Sequence, residues 1–375
     1  MKFKCDFDEF KEAIVSVGKA AKKDKAMEPE MQLVKFTAYK EEETLKIETN
    51  GNLIGVEVII PARVAEEGEF VTTFNGVNII TLRDCLGDLT GASDGKNLIL
   101  KYKDGKAKSS LPLSDLAFSE VSKPNESSPS VQIPMERLRE CFNRVAFIAT
   151  ASEATMTRCI KMEILDDEEG LMRLELSACD NKSFGKVTAF CMKKGSFTGS
   201  AVIPPERMKL LIDILRGQDG DSDVSLTFEE NKLFSEMGNT RVVFATMENK
   251  FPDLNRLMGM RNASTFTATV DRMEFLEAMK CVLYLQPQGS AMLNFSERGL
   301  SVGCLGLTEY GETIDAEMNG EVPPVLFSAE LLKEISSNIP GDELQIQGTN
   351  NKSPFFVAFG DNDEIVYCAL PRVNH

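Results

Sequence analysis

Three stretches of this chain share one plan. "MKFKCDFDEFKEAIVSVGKAA" near the start, "SVQIPMERLRECFNRVAFIAT" and "TFTATVDRMEFLEAMKCVLYL" each run a short alternating strand straight into apolar residues at three- and four-residue steps. Those residues are Phe7, Phe10, Ile14 and Val17 in the first copy, Met135, Leu138, Phe142, Val145 and Ile148 in the second, and Met273, Leu276, Met279 and Leu283 in the third. Such a stripe marks an amphipathic helix. The copies recur at roughly 130 residues, a domain-sized period, so three domains of one design are expected. A second strand-then-helix copy lies about halfway along each period, in "EFVTTFNGVNIITLRDCLGD", "GSAVIPPERMKLLIDILRG" and "PPVLFSAELLKEISSNIPG". Alternating runs such as "NLILKYKDGKAKSSL", "VSLTFEENKLFSEM" and "LQIQGTNNKSPFFVAF", jointed by Gly, Asn and Asp, read as hairpins. The expected class is α+β, each domain having two helices packed on antiparallel sheets of about eight strands.

Periodic apolar residues give way to Pro, Ser, Asn and Gly at 119–130 ("SEVSKPNESSPS") and 255–264 ("NRLMGMRNAS"), which read as linkers. The expected domains are 1–123, 129–255 and 262–375. Several cores suit a chain of 375 residues, because a single core stops growing beyond about 250 to 300 residues. No run approaches the roughly 20 apolar residues of a membrane span, and the N-terminus lacks the apolar centre of a secretory signal. A soluble, cytoplasmic protein is expected. The nine cysteines are scattered without a C-x-x-C pair and mostly sit in apolar runs, so they read as reduced core thiols.

A net charge of -16 argues against a uniformly basic nucleic-acid surface, yet it leaves room for a local basic face. "GKAAKKDKA", residues 18–26, crowds Lys19, Lys22, Lys23 and Lys25 together.

Catalytic devices are missing. The sole histidine is His375, so a Ser-His-Asp or Cys-His arrangement has no internal base. "GDLTGASDGKN" is one residue short of a phosphate loop and has Asn97 where Ser or Thr would hold magnesium, so it reads as a hairpin turn. "DGDSDVSLTFEE" has calcium-loop offsets at Asp219, Asp221, Asp223 and Glu230, but Val224 replaces the turn glycine and "VSLTF" reads as a strand. The carboxylates of "DDEEG", from Asp166 to Glu169, read as solvated charge. "FPDLNRLMGM", with Phe251, Pro252, Leu254, Leu257 and Met258 at a domain boundary, fits an interdomain plug and a binding groove equally. No cofactor, metal or catalytic activity is expected.

The three-copy plan, the "MKF" start, "KFPD" at the end of the second domain and the apolar-Pro-basic tail of "YCALPRVNH" together resemble the bacterial beta sliding clamp family, processivity factors of the replicative DNA polymerase. The resemblance spans the whole chain and lies in the order of these features. It implies three repeated clamp domains per chain and a head-to-tail homodimer closed into a six-domain ring, helices lining the hole and sheets outside. The implied function is to encircle duplex DNA independently of sequence and tether the replicative polymerase, the clamp loader and repair proteins through short linear peptides. Alternatives are a clamp-fold peptide-binding scaffold that never encircles DNA, and an enzyme whose site goes unrecognised.

The resemblance also assigns residues. A ring that slides holds DNA by phosphate attraction. The DNA candidates are Lys19, Lys22, Lys23 and Lys25 at the rim, then Arg137, Arg139, Arg144, Arg207, Lys209, Arg216, Arg272 and Lys280. The family's A-T-D-G-H-R-L stretch falls on Ala178, Cys179, Asp180, Asn181, Lys182, Ser183 and Phe184, matching at Ala178 and Asp180. The implied peptide pocket comprises Thr157, Cys179, Asn181, Phe184, Pro252, Arg256, Leu257, Cys368, Leu370, Pro371 and Arg372. The tail runs on through Val373, Asn374 and His375, longer than the family's. For the dimer, an edge strand with Ser109 and Leu111 is expected to meet Tyr284 and Leu285 of the other chain.

Overall fold

The computed structural model describes residues 1–21, 32–51, 54–151, 158–166, 172–194, 199–215, 222–248, 251–304, 309–359 and 364–372. Six strand-then-helix copies are present among the described residues, and in all but the fourth the helix starts on the residue after its strand. They are Lys2–Asp6 into α1 (Phe7–Ala21), Gly68–Thr73 into α2 (Phe74–Val77), and Ser130–Pro134 into α3 (Met135–Ala151). Further on, Ser200–Ile203 precedes α4 (Pro205–Leu215) across Pro204, and the eight-residue α5 (Asn255–Asn262) follows. Phe266–Asp271 then enters α6 (Arg272–Leu285), and Val325–Ser328 enters α7 (Ala329–Asn338). Capping explains several starts. Asp6 Oδ1 accepts the amides of Asp8 and Glu9 at 2.8 and 3.1 Å, Asp271 accepts that of Glu274 at 2.8 Å, and Ser328 Oγ that of Leu331 at 3.4 Å.

The first two stripes are core as expected: Phe7, Phe10, Ile14 and Val17 are fully buried, as are Leu138 and Val145, with Met135, Phe142 and Ile148 nearly so. The third is out of phase. On α6 the core face is Phe275, Leu276, Ala278, Met279 and Val282, while Met273 is exposed and Leu283 half-buried, so the buried stripe is centred on Phe275, Met279 and Val282, which recur at four- and three-residue steps. α2 covers only one turn before a 3-10 helix, Asn78–Leu82, takes over. α1 crosses it at Gly18, where an added Cβ would run into the Phe74 ring. The 255–264 stretch, expected as a linker, is largely α5, since Leu254, Leu257 and Met258 share a helical spacing.

The chain forms two compact units. One comprises Met1–Arg139, Cys191–Ala201 and Glu206–Glu248; the other comprises Glu140–Phe190, Val202–Pro205 and Asn249–His375. The same strand pairing recurs three times. Lys2–Asp6 lies antiparallel between Arg63–Glu66 and Asp88–Ser93. Ser130–Pro134 pairs likewise with the end of Ser183–Lys194 and with Asp223–Glu229, and Phe266–Asp271 with Ala316–Asn319 and Glu343–Gly348. From each of these a three-stranded meander continues: Asp88–Ser93, Asn97–Tyr102, Ala107–Pro112; Asp223–Glu229, Lys232–Met237, Thr240–Ala245; Glu343–Gly348, Phe355–Phe359, Ile365–Ala369.

Neighbouring repeats join by their strands. Within the first unit the last meander strand of the second repeat, Thr240–Ala245, pairs antiparallel with Ile54–Pro61 of the first repeat, Thr240 opposite Val58. Within the second unit the last meander strand of the third repeat, Ile365–Ala369, pairs with Ser183–Lys194 of the second, Ile365 opposite Val187. The counterpart strands Ala107–Pro112 and Tyr310–Ile314 each have one strand neighbour among the described residues and end their sheets. The first junction is reinforced by charge: Arg241 reaches Glu57 at 2.7 Å and also pairs with Glu236, while Glu48, fully buried, accepts the Val121 amide at 3.2 Å. The 119–130 segment is thereby tied down. Asn50 donates to the carbonyls of Ser119 and Glu120, and Glu229 accepts from the Asn125 amide and Ser128 Oγ.

Candidate partner and DNA surfaces

The sequence "ACDNKSF" turns on its aspartate. Asp180 Oδ1 accepts the amides of Lys182 and Ser183 at 2.8 and 2.6 Å and Ser183 Oγ at 2.9 Å, closing a tight turn that leaves Asn181 and Lys182 exposed at its tip. Cys179 before the turn and Phe184 after it point inward. With Phe356, Ala358, Val366 and Cys368 they form one buried apolar cluster, and Phe251, Leu254, Leu257 and Met258 lie half-buried against it. Burial, joined by the neighbouring Cys159 and Asp180, pushes the Cys179 thiol up to about 12, and burial alone does the same to Cys368. Both thiols are packing groups rather than nucleophiles.

The pocket residues assigned from sequence fall into two sets. Cys179, Phe184, Leu257 and Cys368 are brought together in or against the cluster. Asn181, Pro252, Arg256, Leu370 and Arg372 are exposed, with Pro371 half-buried; Thr157 lies outside the described residues. The Leu370 amide donates to the Lys182 carbonyl at 2.9 Å, which ties the tail to the turn. Sequence reasoning missed Phe356, Ala358 and Val366, although the short apolar runs "PFFVAF" and "IVYCA" are consistent with buried strands. Leu254 and Met258 had been weighed between plug and groove, and they rest on the cluster half-exposed.

Four of the expected DNA cations are engaged with backbone carbonyls. Lys19 donates to the Asp213 carbonyl near the end of α4, and Arg207 to that of Ala245. Arg144 donates to the carbonyl of Asn338, the last residue of α7, at 2.9 Å. Arg272 donates to Gly341 and, at 3.4 Å, to Ser336. Carbonyls at helix C-termini lack intrahelical partners and carry the negative end of the helix dipole, so a cation there is stabilising. Burial lowers the pKa of Lys19 and Arg207. Arg139 pairs with Glu136, Arg137 is half-buried, and Lys209 and Lys280 are exposed. Lys22, Lys23, Lys25 and Arg216 lie outside the described residues.

Of the expected dimer residues, Tyr284 is 88% exposed and Leu285 also faces solvent. Ser109 is half-buried and hydrogen-bonded to the Tyr102 hydroxyl, and Leu111 is buried within its own sheet. Reasoning from sequence overlooked Leu82 and Leu86, 76% and 90% exposed just beyond α2. Six of the nine cysteines are buried, and all nine are free. "GDLTGASDGKN" is a hairpin turn with Gly95 at φ +88°, and "VSLTF" lies within the strand Asp223–Glu229. Among the described residues, no helix is long and apolar enough to cross a membrane.

No family model matches the chain. The beta sliding clamp of Chlamydia trachomatis is 21% identical over 244 residues, 64% of this chain and 56% of that protein's own length. The DNA polymerase sliding clamp of Bacillus subtilis superposes with a TM-score of 0.86 at 18% identity, covering 100% of both chains. The DNA polymerase III subunit beta of Pseudomonas aeruginosa does so with 0.85 at 15% identity, again over 100% of both. The chain therefore has the fold of the bacterial beta sliding clamps along its whole length, and the resemblance seen in its sequence holds.

Proposed function

We propose that this protein is a DNA sliding clamp: a head-to-tail homodimer that encircles duplex DNA irrespective of sequence and tethers the replicative polymerase, clamp loader and repair proteins by short peptides docked on the cluster around Phe184. The observation that carries the proposal is the pair of unmatched sheet edges. Twice within the chain, the last meander strand of one repeat joins the third strand of its neighbour in one register. The same junction is left unmade at Ala107–Pro112 and at Tyr310–Ile314. Two chains supply two such pairs, so a ring of six repeats pairs both of these edges by repeating a contact the chain already makes.

The register transfers as well. Ala107 and Thr240 open equivalent strands, opposite Tyr102 and Met237, and Tyr310 and Gly55 are the first residues paired across their own hairpins, opposite Cys304 and Asn50. The internal pairing of Thr240 with Val58 then sets Ala107 opposite Thr313 of the partner subunit, and Lys108 opposite Glu312 of the partner subunit. The corresponding internal pair is Arg241 with Glu57, an ion pair at 2.7 Å. Leu82, Leu86, Tyr284 and Leu285 supply exposed apolar area for the same seam. Such a clamp acts by enclosure rather than catalysis, works in the cytoplasm with its DNA, and has domains at 1–123, 129–255 and 262–375.

Light scattering on charge-swapped variants tests this. The parent is expected at twice the chain mass, K108E and E312K each shifted toward monomer, and the K108E/E312K double variant restored. The dimer should be retained on nicked circular DNA and lost when the circle is cut. A parent that stays monomeric at micromolar concentration would refute the ring.

A further inference from the structure

Beyond Ala369 the chain leaves its ladder, and a segment without ladder hydrogen bonds is held only by what else it meets. Here it is held at three places. The Leu370 amide donates to the Lys182 carbonyl at 2.9 Å, and the Arg372 amide to the Leu326 carbonyl at 2.7 Å. The Arg372 guanidinium donates to Ser290 Oγ at 2.9 Å and to the Gln288 carbonyl at 3.4 Å. Leu326 and Ser290 belong to neighbouring strands, since Ser290 pairs with Ser328 in the ladder of Ser290–Ser296 with Val325–Ser328. One residue thus fastens the tail to a sheet through both its backbone and its side chain. Only then does Leu370, 39% exposed, stand next to the turn that carries Cys179 and Phe184.

We infer that Arg372 is a positioning residue: it latches the tail to the Ser290 and Leu326 strands and so keeps Leu370 and Pro371 ready as a preformed wall of the peptide site. The inference rests on the peptide site proposed above. A guanidinium suits the task because its planar fork reaches two acceptors at fixed separation, which a lysine ammonium does with more loss of freedom. Its side-chain partners are a hydroxyl and a carbonyl, both uncharged. A peptide meeting a tail that is in place only a fraction f of the time binds with an apparent dissociation constant raised by 1/f. The loss appears in association, because a complex once formed holds the same contacts. A residue that touched the peptide directly would show its loss in dissociation.

The experiment uses the full-length dimer and the variants R372A, R372K and S290A. Hydrogen exchange of the segment around Leu370 and Arg372 is followed by mass spectrometry, and stopped-flow binding of a fluorescein-labelled peptide with leucine and phenylalanine anchors gives the rates. R372A is expected to speed tail exchange about tenfold and to slow peptide association about as much, with dissociation and the thermal midpoint unchanged. R372K should recover part of both effects, and S290A should reproduce part of the loss. Unchanged tail exchange in R372A overturns the latch whether or not peptide binds. Faster exchange with unaltered association, or with faster dissociation alone, overturns the positioning role. Faster exchange in a protein whose parent binds no peptide supports the latch and removes the peptide site instead.

Discussion

Replacing Arg144 by Met separates two roles that its charge alone leaves open. Its guanidinium donates at 2.9 Å to the carbonyl of Asn338 at the end of α7, and its own carbonyl accepts the Tyr367 hydroxyl at 2.7 Å. Methionine keeps the apolar stem and the helix propensity, so the variant removes the cation and little else. A hydrogen bond to a charged group contributes about 1.5–3 kcal/mol when well buried, and a cation at a helix C-terminus about 0.3–1 kcal/mol at an exposed one. Arg144 is half-buried, which discounts the upper figure for solvent screening and places the loss at about 1–2 kcal/mol. For a unit of this size that corresponds to a drop of about 3–6 °C in the midpoint of the transition involving α7.

Calorimetry reads the midpoint, and hydrogen exchange reads the last turn of α7, whose amides should open first. Retention on nicked circular DNA at graded salt reads the other role. A cation spent on Asn338 leaves the slope of log affinity against log salt nearly unchanged, whereas a phosphate contact would remove about 0.9 of slope. A variant with the parental midpoint and a slope reduced by that amount would refute the assignment to α7.

Lys35 clasps the segment between the first two repeats, with Glu120 at 2.6 Å and Glu69 at 3.0 Å. Burial pulls the lysine's pKa down, but hydrogen bonds and charge from the two glutamates outweigh it and leave it raised, while Lys35 lowers that of Glu120. The glutamate's contribution is full above its unfolded value of about 4.3 and lost as pH falls through the lower folded one; the lysine's is full below about 10.4 and lost as pH rises through the higher folded one. Protection of the amides in residues 119–128, taken relative to their intrinsic exchange rate at each pH, should therefore be greatest between those limits, fall on either side, and in K35M be low throughout; a parent whose protection does not change with pH would count against the clasp. At Gly185 an added Cβ would sit 2.6 Å from Ile148 Cδ1 and 2.9 Å from the Tyr367 ring. G185A should cost about 1–3 kcal/mol in urea unfolding through overpacking between α3 and the sheet, and an unchanged midpoint would show that Ile148 has room to move.

What the sequence showed best was local. The strand-then-helix copies were legible because a period of two switching to one of 3.6 is written in consecutive residues, and Asp6, Asp271 and Ser328 mark helix starts on the spot. The third stripe was misphased because Met273 and Leu283 are apolar too, and a pattern with apolar residues on both sides does not say which side the sheet will cover. α5 reads as a linker from sequence because Asn and Gly in its composition, with Ser264 just beyond it, mask the spacing of Leu254, Leu257 and Met258. None of its residues is buried, so there was no apolar face to outweigh that composition. The apolar cluster proposed as the peptide site was half legible. Cys179, Phe184, Leu257 and Cys368 came through the family resemblance, but Phe356, Ala358 and Val366 reach the cluster by strand pairing between distant segments, which leaves no mark in local spacing.

The cations were the least legible, because sequence records charge and not the acceptor it will meet. Their positions nonetheless bear on how a clamp would work. Lys19, Arg144, Arg207 and Arg272 give hydrogen bonds to neutral carbonyls, so each donor is partly used while its full charge remains. A field needs no contact: at physiological ionic strength a charge still acts over a Debye length of about 8 Å. Cations pinned in this way cannot swing out to grip individual phosphates. In a ring of the proposed kind they would hold DNA near the axis by attraction summed over many weak terms, and no single term would have to be broken for the duplex to move by one base pair. An acidic chain can carry such a surface, because what sliding demands is the placement of a few fixed charges rather than an excess of them.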